Sequence, residues 1–310
     1  MSIATIDRSA RELRGDRAAT EGERMRARLL GAMPIMERRL QLAGVSTAVL
    51  EGGDGPPVVL LHGPGGSGAH FMRMVPRLVS SHRVVIPDLP GHGASHVDDG
   101  ASLTAERVMS WLAALIEQTC GGKPALVGQL LGGAIAARFA ALHGDRIRSL
   151  ALIDAFGLRA FAPAPEFGRA LHGFLAQPSE QTHDALWQHC ARDLRRLRAA
   201  MGELWQPFAA YNVDCARSGQ QALAALMEQL GASALPEAEL ARIAVPTTLI
   251  WGRHDLATPL STAEAASARY GWPLHVIEDA NDDPPIEQPE AVLSALRATL
   301  AARPAPEAAR

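Results

Sequence analysis

The sequence predicts an α/β protein: a mostly parallel sheet flanked by helices, with a helical cap set into the chain. Three observations carry this. Short, nearly continuous apolar runs recur along the chain, helical stretches separate them, and the interval between Asp154 and Val245 reads as helix alone. Runs without polar alternation belong to strands buried on both faces, and parallel neighbours need helical crossovers.

Taken in order, residues 1–36 form an N-terminal helical extension rich in Arg and Glu, with Met25, Leu29 and Met33 at i, i+4, i+8. Such a stripe is satisfied by the body of its own chain or by a second copy in a homodimer. RRLQLAGVSTAVLEGG then reads as two short strands with a turn at Gly44. PPVVLLHG (56–63), HRVVIPD (82–88), KPALVG (123–128), RSLALID (148–154), VPTTLIWG (245–252) and PLHVIE (273–278) supply the remaining strands. Helices are predicted over 69–79, 102–118, 131–143, 261–269 and 288–301. The core therefore comprises 37–155 and 244–301, interrupted by a cap over 156–243 with Pro-rich joints (FAPAPEF, AQPSE, WQPF). Eight of the 14 aromatic residues lie in that cap, enough to fill its own core and turn a minority toward a cavity beneath. The tail from 302 to 310, ending ARPAPEAAR, is expected to be disordered.

Composition narrows the function. At 310 residues with 47% hydrophobic and 20% charged residues, the chain has the makeup of a globular enzyme. A net charge of −3 gives no electrostatic footprint for nucleic acid. The N-terminal residues contain no apolar signal core, and no run is long enough to span a membrane. Cys120, Cys190 and Cys215 are an odd set without metal-ligand spacing, so a cytoplasmic protein without metal or cofactor is expected.

Four stretches carry a family resemblance. LLHGPGGSGAHF resembles a loop after the third strand that contributes to an oxyanion hole, and PDLPGHGAS (87–95) a common turn after the fourth. VGQLLGG resembles a nucleophile elbow, and WGRHDLATP followed by EDANDDPPIEQPEAV the segments bearing a catalytic acid and histidine. In this order and spacing they resemble the α/β-hydrolase superfamily over roughly residues 38–301.

The resemblance implies a site that this chain fills differently. The elbow pattern G-x-nucleophile-x-G reads Gly128, Gln129, Leu130, Leu131, Gly132, so a leucine without lone pair or acidic proton stands at the nucleophile position. Aligning IEQPE puts Asp282 at the histidine position, with Asp255 at the triad acid. Pro64 follows His62 and Gly63 where one oxyanion donor normally sits, and it has no N–H; Leu131 N–H and Gly65 remain as donors. Gln129, Phe156, Phe161, His62, His70, His254 and Asp283 are placed around the pocket, His62 and His92 reading as structural residues of family turns. Ser67 and the cap residues His172, His183, His189, Cys190 and Cys215 read as structural or surface groups.

Two carboxylates facing each other cannot easily both ionise, so Asp255 and Asp282 are expected to share a proton as an acid/base pair. The expected function is a cofactor-independent lyase, isomerase, cyclase or water-mediated hydrolase acting on an apolar small molecule. The alternative is a non-catalytic ligand-binding relative of the hydrolases.

Overall fold

The computed structural model describes residues 19–98 and 102–302. Those residues build one nine-stranded sheet in the order β1-β2-β4-β3-β6-β7-β8-β9, with a short β5 (His96–Val97) paired to β2. β1 (Met36–Leu42) and β2 (Val45–Gly52) form a hairpin whose turn residues Ala43 and Gly44 have φ of 47° and 80°. Two consecutive positive-φ residues match the right-handed twist of the strands they join. β2 runs antiparallel to β4 (Arg83–Pro87), and every pairing beyond is parallel. The central strands β3 (Pro57–Leu61), β6 (Ala125–Gln129), β7 (Ser149–Ile153) and β8 (Thr247–Gly252) are buried almost throughout, as their unalternating sequences require. β9 (Leu274–Ile277) closes the far edge.

From β3 the chain steps outward to β4, whereas from β6 it steps the other way through β7, β8 and β9. The carboxyl ends of β3 and β6 therefore sit where the winding reverses, the place at which open α/β sheets leave a crevice.

An N-terminal helix, α1 (Glu21–Gly31), is closed by a capping box between Thr20 and Glu23. Its Leu29 and the following Met33 are buried, and Met25 is partly so. The apolar stripe is thus taken up within the chain, and the Arg26 guanidinium reaches Asp88 at 3.2 Å. The helix expected over 69–79 is instead a 3-10 turn (Gly68–Phe71) followed by α2 (Val75–Leu78). Pro76 lacks an N–H, so it fits the first turn of a new helix but not the middle of a longer one.

α3 (Ala105–Thr119) and α4 (Leu131–His143) follow in the core. Between β7 and β8 rises the cap: α5 (Pro165–Ala176), α6 (Glu180–Cys190), α7 (Leu194–Met201), α8 (Trp205–Ser218), α9 (Gln220–Leu226) and α10 (Glu237–Leu240). α11 (Ser261–Tyr270), a short α12 (Pro284–Glu287) and α13 (Pro289–Ala301) complete the core. α1 lies along α8, so the extension touches the cap as well as the sheet. No helix among the described residues is long and apolar enough to cross a membrane. Apart from residue 302, the tail expected to be disordered lies outside the described residues.

Candidate active site

The turn from β6 into α4 is held in a strained form. Leu130 has φ 47° and ψ −113°, a region that a branched side chain rarely adopts and that costs on the order of 1–3 kcal/mol. The backbone around it over-determines this conformation. Leu130 N–H donates to Ile153 O at 3.0 Å, and Leu130 O accepts from Gly133, Ala134 and Phe156 N–H at 3.0, 3.1 and 3.0 Å. A Cβ on Gly128 would overlap the Gly132 carbonyl, and one on Gly132 would overlap the Leu61 carbonyl. The elbow geometry is therefore intact, with an isobutyl group at its tip. Leu131, the first residue of α4, has one of the N–H groups that no earlier turn of the helix can accept.

Above this turn, between core and cap, lies a cavity of about 480 Å³. Pro64, Gly65, His70, Gln129 and Leu130 form its floor, with Phe156 and Phe161 in the wall. Asp282 and Asp283 stand beside them, in the loop after β9. Gly65 has φ 67°, and a Cβ on nearby Gly63 would press against the Leu130 side chain, so the loop after β3 lies close to the elbow. His70 packs edge-on to Phe208, with ring centroids 5.0 Å apart, and burial lowers its pKa to about 4.

Two residues assigned to the pocket do not belong to its wall. His62 is fully buried between β3 and β4, where Nε2 accepts from Leu89 N–H at 2.9 Å and Nδ1 donates to Gly63 O at 2.8 Å. That pattern requires the neutral ring, and burial pushes its pKa down to about 3. His62 is a fastener between strand ends. His254 is exposed, outside the cavity, because its neighbour Asp255 takes the inward direction of the loop.

Asp255 has a second acidic neighbour besides the expected Asp282. Asp255 Oδ1 accepts from Ala257 and Thr258 N–H at 2.7 and 2.8 Å, and Oδ2 accepts from the Thr258 hydroxyl. The carboxyl it meets directly is Asp154, at the end of β7 with φ 45°. Asp154 Oδ1 accepts from Gly252 N–H at 2.8 Å, while Oδ2 has no N–H or O–H neighbour. A carboxyl–carboxyl contact is a hydrogen bond only if one partner carries the proton. Burial and the Asp255 charge push the Asp154 pKa well up, and the three donors on Asp255 against one on Asp154 favour the proton on Asp154. Arg253 does not intervene: it turns outward to Glu278 at 2.6 Å.

Asp282 is the acid left facing the cavity. Its Oδ1 has no hydrogen-bond partner. Burial and the charges of Asp255, Asp283 and Glu287 raise its pKa well above the usual carboxylate range. Beside it, Asp283 accepts from Gln129 Nε2 at 2.8 Å yet is pushed by burial up to about 8. Glu287, holding Asn281 and Arg192 N–H at 2.8 and 2.6 Å, is raised by burial to about 7. Four buried acids and the half-buried Glu287 thus gather at the carboxyl edge of the sheet, of which Asp154 and Glu287 were missed. A lone Asp ending an apolar strand, as in RSLALID, was the available signal for Asp154.

A family model described as the alpha/beta hydrolase fold matches residues 56–289. The chain belongs to the α/β-hydrolase fold family. Within this family it is 30% identical over 261 residues to the pimeloyl-[acyl-carrier protein] methyl ester esterase of Aeromonas hydrophila, covering 79% of this chain and 96% of that one. The solved structure of a membrane phospholipase A superposes with a TM-score of 0.75 at 27% identity, covering 90% of each chain. That of 2-hydroxy-6-oxo-6-phenylhexa-2,4-dienoate hydrolase from Rhodococcus sp. strain RHA1 gives 0.74 at 25% identity, covering 86% of this chain and 98% of that one. These α/β-hydrolase relatives are named for hydrolysis. They overturn the expectation of a lyase, isomerase or cyclase, and equally that of a non-catalytic binding protein.

Proposed function

We propose that the protein is a hydrolase of small apolar esters. The observation that carries this is Asp282, which turns a carboxyl oxygen without a hydrogen-bond partner to a largely apolar cavity, beside an elbow turn that keeps its strain. The esterase and hydrolases it resembles support the same reaction class.

In this reading the substrate's acyl oxygen lies against Leu131 N–H, aided by the Gly65 loop and by the positive end of α4. Asp282, at the family's histidine position, draws a proton from the water that attacks the acyl carbon and returns it to the alkoxide that leaves as the C–O bond breaks. Asp283 and Gln129 hold the neighbouring wall, and the Asp154–Asp255 contact fixes the loop after β8. The buried, unpaired Cys120, Cys190 and Cys215 suit a reducing cytoplasm.

Medium-chain p-nitrophenyl esters test the assignment. Asp282→Asn keeps the shape but cannot take a proton, and is expected to lower kcat by roughly 100-fold or more, the usual range for a general base. Full turnover by that variant would refute the role. Because the Asp282 pKa is raised, wild-type turnover should climb as pH rises beyond the ordinary carboxylate range.

A further inference from the structure

The cap end of the cavity carries a polar pair that hydrolysis does not use. His183 on α6 and Asn212 on α8 are both buried, and both line the cavity. Asn212 Nδ2 lies 3.3 Å from His183 Nε2. Burial lowers the His183 pKa to about 4, so the ring is neutral; Nε2 accepts the amide proton and Nδ1 carries its own. Nδ1 is directed at the Asp184 carboxylate, 3.8 Å away and itself held by Arg198 at 2.5 Å. The Asn212 carbonyl oxygen accepts no hydrogen bond among the described residues.

The surroundings are aromatic. Phe174, Trp187 and Trp205 have ring centroids 5.7, 5.7 and 5.9 Å from that of His183. A core built only for packing would fill this place with apolar groups, because buried polar atoms left without partners are costly. The pair belongs to the cap helices, while the elbow belongs to the core. From His70 by the elbow, contact passes to Phe208, then at 5.3 Å to Trp187, and only then to His183.

We propose that His183 and Asn212 form a subsite that hydrogen-bonds a neutral polar group, a hydroxyl or carbonyl, at the end of the substrate remote from the scissile bond. The word substrate rests on the hydrolase reading; the subsite itself does not. No Lys or Arg lines the cavity, so a carboxylate placed there would be buried without a counter-charge. The subsite therefore selects neutral over anionic ends.

Trp187 touches both His183 and the cavity, so its fluorescence reports occupancy without turnover. The probes are three methyl ketones of equal chain length, ending in a methyl, a primary hydroxyl or a carboxylate group. None can be hydrolysed, which keeps this test apart from the fate of Asp282. The hydroxyl ketone is expected to bind about five-fold more tightly than the methyl ketone, the worth of one net hydrogen bond. The carboxylate ketone should bind weakest. Asn212→Leu should erase the hydroxyl preference while leaving methyl-ketone affinity unchanged; if it fails to fold, His183→Phe makes the same comparison. Equal binding of hydroxyl and methyl ketones, binding of none, tightest binding of the carboxylate, or a preference that survives the variants would overturn the subsite.

Discussion

Leu130 shows that the backbone alone can hold a strained turn. The turn is enforced by a hydrogen bond to the Ile153 carbonyl, by hydrogen bonds from Gly133, Ala134 and Phe156 N–H, and by glycines at 128 and 132, none of which involves the Leu130 side chain. Restoring a hydroxyl there is consequently a clean experiment. Leu130→Ser alone should remain almost unlabelled by serine-directed phosphonates, because Asp282 is shorter than the histidine that would have to reach the new hydroxyl. Leu130→Ser combined with Asp282→His should be labelled at least about ten-fold faster, as intact mass will show, given a base of suitable strength and reach. Equal labelling of the two would mean that another group activates the hydroxyl. At this scale the sequence is legible wherever a motif fixes the backbone: the elbow glycines, Leu130 and Asp282 all stand where spacing put them. It misleads on side-chain direction, since His62 and His254 flank motif positions yet face away from the cavity. Asp154 offered only its place at a strand end as a signal, because its role arises from Asp255, a neighbour brought in by the β7–β8 pairing rather than by sequence.

Among the elements, α1 has the most to do for its length. It buries Leu29, lies along α8 of the cap, and presents Arg26 to Asp88, whose carboxylate also accepts from Gly68 and Ala94 N–H at 2.7 and 2.8 Å. Asp88 is buried, so removing its cation leaves a charge with backbone donors alone. Arg26→Met, which keeps the apolar stem, is expected to destabilise the protein by about 3 kcal/mol in denaturant melts, the lower end for breaking a buried ion pair. A change below about 0.5 kcal/mol would class the pair with exposed ones. The apolar periodicity of α1 is plain in the sequence. Its docking site is not, because a stripe says that a face is buried and nothing about what buries it. The strands were legible for the opposite reason: runs such as SLALI are apolar on both faces and fit only the centre of a layered sheet.

For the molecule as a whole, the acid cluster sets the response to pH. Asp255, Glu287 and Asp283 are raised by burial to about 6, 7 and 8, and Asp154 and Asp282 are raised as well. A carboxyl whose folded pKa exceeds its unfolded value of about 4 contributes stability that is complete below that value. That contribution is lost as pH rises through the folded values. Thermal melts should therefore show a falling Tm between about pH 5 and about pH 9. Asp283→Asn, which keeps an oxygen for Gln129 but cannot ionise, should flatten the decline; a Tm that rises over this range would contradict the burial of neutral acids. One further consequence follows from α1, which grips the core through Arg26 while lying along the cap. It straps the two halves across the seam that a ligand has to part. Whatever enters the cavity by lifting α8 has to loosen α1 first, so the dwell time of a bound molecule is set partly by a helix that never touches it.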